Sequence, residues 1–79
     1  MDWQQAFDTK WGARILEKRK KKGLTLAQVN HVTGLPGPII RRAELEPSTV
    51  PANQLVVLLE FYGLTKEEYL ELCTIHVER

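Results

Sequence analysis

Arg41 and Arg42, side by side in the stretch Thr33-Gly-Leu-Pro-Gly-Pro-Ile-Ile-Arg-Arg-Ala-Glu44, are the strongest hydrogen-bond donors of their segment. A guanidinium presents a rigid fork that holds guanine O6 and N7 together, or a phosphate. The residues just before them, Gly37, Pro38 and Ile39, carry no side-chain donor. Gly37 lets a sugar or phosphate approach the backbone closely. Ile39 can meet a thymine methyl group, and the amides of Ile39 and Ile40 are expected to be free as anion donors at a helix start. The bland alternative is that the arginines are ordinary surface charges and that Ile39 buries against a protein partner.

Metal and acid–base chemistry find much less. Cys73 and His76 are one helical turn apart, with His31 elsewhere in the chain. A structural zinc usually takes four ligands, so a core-facing Cys and an exposed His are the simpler reading. No glycine-rich phosphate loop follows a strand. The expectation is therefore no enzyme, no catalytic residue, no metal and no cofactor.

Net charge is +1, but its distribution is lopsided. Between Lys10 and Arg42, nine Lys and Arg stand against Glu17 alone, +8; from Ala43 onward, Lys66 and Arg79 stand against seven acids, −5. A basic half suits a polyanion, although Lys18 to Lys22 fit equally well as solvation of a helix end and its dipole. Cys73 is the single cysteine, which makes a reducing cytoplasm the expected compartment. No apolar run reaches membrane-spanning length and MDWQQAF lacks a secretion-signal layout, so neither membrane nor export is expected. At 79 residues the chain is one small domain that can borrow stability from a second copy.

These groups must be positioned by helices, since no strand pattern occurs. Asp8 or Thr9 is expected to cap a first helix running to about Lys22, which Gly23 stops. Thr25 and Gln28 have capping-box spacing for a short helix, Leu26 to Val32, with Val29 and Val32 turned inward. Gly34 turns the chain and Leu35 enters the core. Gly37 is expected as the cap of a third helix starting at Pro38, with Ile40 and Ala43 buried. That register places Arg41 on the outer side and Arg42 nearer the flank. Pro47 closes this segment. Pro51 opens a fourth helix to Tyr62, with Leu55, Leu58, Leu59 and Tyr62 inside, and Gly63 ends it. Thr65 and Glu68 cap a fifth, from Lys66 to about Val77. Residues 1–9 read as an N-terminal extension, helical in part, before the domain proper at 10–79. Trp3, Phe7 and Trp11 form one stripe if that extension is helical, either extending the core or docking a second copy or another protein. The fifth helix offers a second association surface at Tyr69, Leu70, Leu72, Cys73 and Ile75.

The run GLTLAQVNHVTGLPGPIIRRAE, followed by PSTVPANQLVVLLEFYGLT, resembles the Cro/repressor (lambda-repressor-like, Xre-type) helix-turn-helix family over roughly residues 10–70. The resemblance implies an all-α, compact five-helix bundle that inserts its third helix into the major groove of double-stranded DNA, often as a homodimer. It also implies a buried structural ion pair between helices one and three, falling on Arg19 and Glu44. Three positions depart from the family pattern. Leu26 stands where a phosphate-touching Gln is usual, Asn30 where a small Ala is usual, and Gly37, Pro38 and Ile39 where polar readers are usual.

Candidate DNA contacts are thus Lys10, Lys18, Thr25, Gly37, Pro38, Ile39, Arg41 and Arg42. The leading expectation is a small sequence-specific transcription regulator of repressor type. The alternative is an adaptor or anti-repressor that keeps the scaffold without reading bases.

Overall fold

A computed structural model of the chain describes residues 2–77, with side chains to Leu72. Over these residues it is all-helical: α1 (Trp3–Lys22), α2 (Leu26–Thr33), α3 (Gly37–Leu45), a 3-10 turn (Pro47–Thr49), α4 (Ala52–Tyr62) and α5 (Lys66–Val77). No helix of the described residues is long and apolar enough to cross a membrane. The side chains of Cys73, Ile75 and His76 lie outside the described residues.

The first helix starts earlier than the caps at Asp8 or Thr9 suggested. Asp2 is the N-cap, its carboxylate accepting the Gln5 N–H at 2.8 Å. Trp3, Phe7, Trp11 and Ile15 then recur at helical spacing, and the last three are buried. Burial of this stripe keeps residues 3–9 helical and continuous with the rest of α1. Asp8, freed from capping, instead accepts the backbone N–H and hydroxyl of Ser48, at 2.8 and 3.0 Å. It thereby fastens the 3-10 turn to α1.

In α2 the Thr25–Gln28 capping box forms as expected. Val32 does not turn inward; it is 60% exposed. The buried side of this short helix runs along Leu26, Val29 and Thr33, which leaves Val32 outside that line. Thr33 donates to the Val29 carbonyl and accepts from the Leu35 N–H, drawing Leu35 into the core.

The α3 cap is shifted by one residue. Pro36, in extended geometry, is the cap, and Gly37 is already helical. Pro38 would push most preceding residues out of helical geometry partly through their Cβ, which Gly37 lacks. Ile40 and Ala43 are fully buried, as expected. In α4, Leu55, Leu58, Leu59 and Tyr62 are the buried residues. Trp11, Ile15, Val29, Ile40, Leu58 and Leu59 form the centre of the core.

Candidate nucleic-acid interface

The outer face of α3 is held from behind. Arg19 donates through Nε to Glu44 Oε2 at 2.5 Å and through Nη2 to Oε1 at 3.2 Å. Its Nη1 donates to the Leu24 carbonyl at 2.9 Å. The two side chains are 17% and 7% exposed, so the pair is largely rather than fully buried. Hydrogen bonding to Glu44 raises the Arg19 pKa above its ordinary value, against the opposing effect of burial. Beside this clamp Gly12 brings α1 against the end of α3. A Cβ there would lie 2.7 Å from the Glu44 carbonyl oxygen. Burial pushes the nearby Tyr62 hydroxyl up to about 12, and the Glu44 charge adds to the shift.

With Ile40 and Ala43 buried and Glu44 facing α1, 3.6 residues per turn decides what points away. Arg42, ~200° round the helix from Ile40, stands nearly opposite the core; Arg41, at ~100°, stands on the flank. This reverses the register inferred from Ile40 and Ala43 alone, because Glu44 widens the inner face on the Arg41 side. Both arginines are exposed and neither makes an ion pair among the described residues. Pro38 and Leu45 share their face, Leu45 being 62% exposed.

The expected backbone donors are different from those observed. The amides of Ile39 and Ile40 both donate to the Pro36 carbonyl, at 3.0 and 3.2 Å, and are not free. Gly37 is the remaining donor position, since Pro38 has no N–H. A Cβ at Gly37 would meet nothing within 4 Å, so the space before it is open. Ile39 is half-buried and packs against the core, which leaves only part of it for an apolar contact. The departures at α2 also find local roles. Asn30 is exposed, and its amide donates to the Leu35 carbonyl across the turn. Leu26 packs against the core.

Lys10 and Lys18 are on the other flank of α1, beside α5, and do not join Arg41 and Arg42. Lys10 pairs with Glu71. Lys18 donates to Glu68 at 3.1 Å and to the Gly63 carbonyl at 3.2 Å. Arg14 lies between them, 3.8 Å from Glu68 and 3.5 Å from Glu71, with its guanidinium 4.9 Å from the centre of the Trp11 ring. Burial disfavours the Glu68 carboxylate, but the Thr65 N–H and Lys18 outweigh it and hold its pKa below the ordinary value. Lys10 chiefly, with Arg14, does the same for Glu71. The Thr25 hydroxyl accepts the Gln28 N–H and sits exposed at the start of α2.

The Asp8–Ser48 contact and the α1–α5 ion pairs were not anticipated. The second had a signal: Lys10, Arg14 and Lys18 recur every four residues, and Glu68 and Glu71 are three apart. A groove of about 340 Å³ between α1, α4 and α5 is lined by Trp3, Phe7, Val50, Val56, Tyr69 and Leu72 among others. Phe7 and Trp11 of the aromatic stripe are buried, while Trp3 is 41% exposed. No protein-family model, curated protein or solved structure matches the chain.

Proposed function

We propose that this chain is a small helix-turn-helix DNA-binding regulator of the Cro/repressor kind, with α2 and α3 as the motif and α3 lying in the major groove. The observation that carries the reading is the outer face of α3. It presents Arg41 and Arg42, exposed and without ion pairs among the described residues, on a helix held from behind by Arg19 and Glu44. Such a face is rigid and cationic, and a duplex supplies the acceptors it lacks. Arg42 is the base reader and Arg41 the phosphate contact, with Gly37 allowing close backbone approach. Lys10 and Lys18 take no part while α5 holds them. The regulator acts in the cytoplasm as a homodimer, for which the apolar groove beside α5 is the proposed surface.

Selection from a random duplex library tests the roles. Arg42→Ala should relax preference at one base position, whereas Arg41→Ala should weaken all sequences alike and lower the salt slope by ~0.9. Identical motifs from wild type and Arg42→Ala would remove the base-reading role.

One observation favours a second reading, a protein-binding adaptor on the same scaffold. The first turn of α3 offers Gly37, Pro38 and Ile39, while Val32 and Leu45 are exposed apolar residues. Absence of duplex binding even at low salt would select the adaptor.

A further inference from the structure

The α1 flank facing α5 is a stripe of cations at positions 10, 14 and 18, and α5 lays two carboxylates along it. Each carboxylate is shared: Glu68 by Arg14 and Lys18, Glu71 by Lys10 and Arg14. This is the pattern that successive phosphates of a nucleic-acid strand would make on the same stripe. Among its described side chains, α5 is anchored by Leu72 and by Tyr69, which lines the groove beside Trp3 and Phe7. Leu72 is buried, but Tyr69 is 44% and Leu70 60% exposed. The chain enters α5 through Gly63, whose positive φ of 87° is open to glycine, and whose carbonyl Lys18 also holds.

We propose that α5 is an anionic strap that occupies a second polyanion-binding strip on α1, and that loosening the strap adds Lys10, Arg14 and Lys18 to the DNA-binding surface. The inference rests on the DNA-binding reading only for the class of ligand. Its residues lie on the opposite flank of α1 from the Arg19–Glu44 clamp. The Lys10–Glu71 pair is the more open, at 49% and 31% exposure, and Lys18–Glu68 is partly buried at 21% and 18%. Pairs still reached by water are weakened by salt and can exchange with other charged partners. A duplex offers a higher density of negative charge than two glutamates, so once the strap is loosened the strip passes to the duplex without any new cation being made.

The sequence provides a clean test. Gln serves as well as Glu in a capping box, so Glu68→Gln removes charge while the Thr65 cap is kept. The double variant Glu68→Gln/Glu71→Gln is compared with Glu60→Gln/Glu67→Gln, which changes net charge equally at glutamates that make no ion pair among those described. Binding to duplex DNA is followed against salt, with helix content checked by circular dichroism. The expected result is tighter binding by tenfold or more at low salt, and a salt slope steeper by up to ~2.7 as three cations engage phosphates. The control pair should leave the slope nearly as in wild type. Adding Lys10→Ala, Arg14→Ala and Lys18→Ala to the strap variant should abolish the gain. An unchanged slope, or an equal gain in the control pair, overturns the proposal. A gain that persists when Arg41 and Arg42 are both Ala supports the strap. If wild type binds no duplex but the strap variant does, the α3 reading fails and the strap stands.

Discussion

Replacing Glu44 by Ala removes the partner of a guanidinium that the fold holds nearly out of water. Two charge-assisted hydrogen bonds are lost, at 2.5 and 3.2 Å, while the bond from Arg19 to the Leu24 carbonyl can remain. Breaking a fully buried pair costs ~3–5 kcal/mol. Arg19 is 17% exposed and can rehydrate in part, which lowers the expectation to ~2–4 kcal/mol. A chain of 79 residues has a total stability of ~4–12 kcal/mol, so the loss is a large share of it. In urea unfolding followed by circular dichroism, the midpoint should fall sharply with little change in slope. The melting temperature should fall by at least ~10 °C. The double variant Arg19→Met/Glu44→Leu should recover much of the loss, because neither partner then leaves a charge behind. A single-variant loss below ~0.5 kcal/mol, the range of ordinary surface changes, would falsify the clamp.

Gly12→Ala should destabilise by ~1–3 kcal/mol, because its Cβ meets the Glu44 carbonyl oxygen at 2.7 Å and a backbone atom must move; an unchanged denaturation midpoint counts against that approach. Burial raises the Tyr62 pKa from an ordinary 10.0 to about 12. The stability this represents is complete below pH 10 and is lost as pH rises toward 12, since the unfolded chain releases that proton first. Phenolate absorbance and helix content, recorded together, should show late ionisation coupled to unfolding; in Tyr62→Phe that late step should vanish, and its persistence would assign it elsewhere.

Much of the helical plan was legible because local chemistry decides it. The Thr25–Gln28 and Thr65–Glu68 capping boxes, the stops at Gly23, Gly34 and Gly63, and the α4 face are all set by neighbours in sequence. The resemblance, not periodicity, pointed to the Arg19–Glu44 pair. The misses came where a remote partner chooses. Asp8 looked like a cap until Asp2 took that role and Ser48 supplied another. Ile39 and Ile40 seemed to have free amides until Gly37 entered the helix and brought the Pro36 carbonyl beneath them. At the candidate site the arginines were visible, but their roles depend on rotation. Glu44, facing inward to meet Arg19, turns Arg42 outward.

Charge counting overstates the polyanion surface for the same reason. The basic half carries +8, yet its cations do not form one face. Arg19 points to Glu44, while Lys10, Arg14 and Lys18 meet Glu68 and Glu71. Lys22 lies 5.4 Å from the centre of the Phe61 ring. Under the proposed DNA-binding function, Arg41 and Arg42 remain for a duplex lying on α3, joined by Lys20 and Lys21 if the DNA reaches the end of α1. The salt slope for wild-type binding should therefore be between about −1.8 and −3.6, at ~0.9 per phosphate, and not near the −7 that eight net charges suggest. A shallow slope means that most of the basic half holds helices together and only its α3 portion meets DNA. A slope near −7 in the wild type would contradict that division, since cations paired within the folded chain release no counterions when DNA binds.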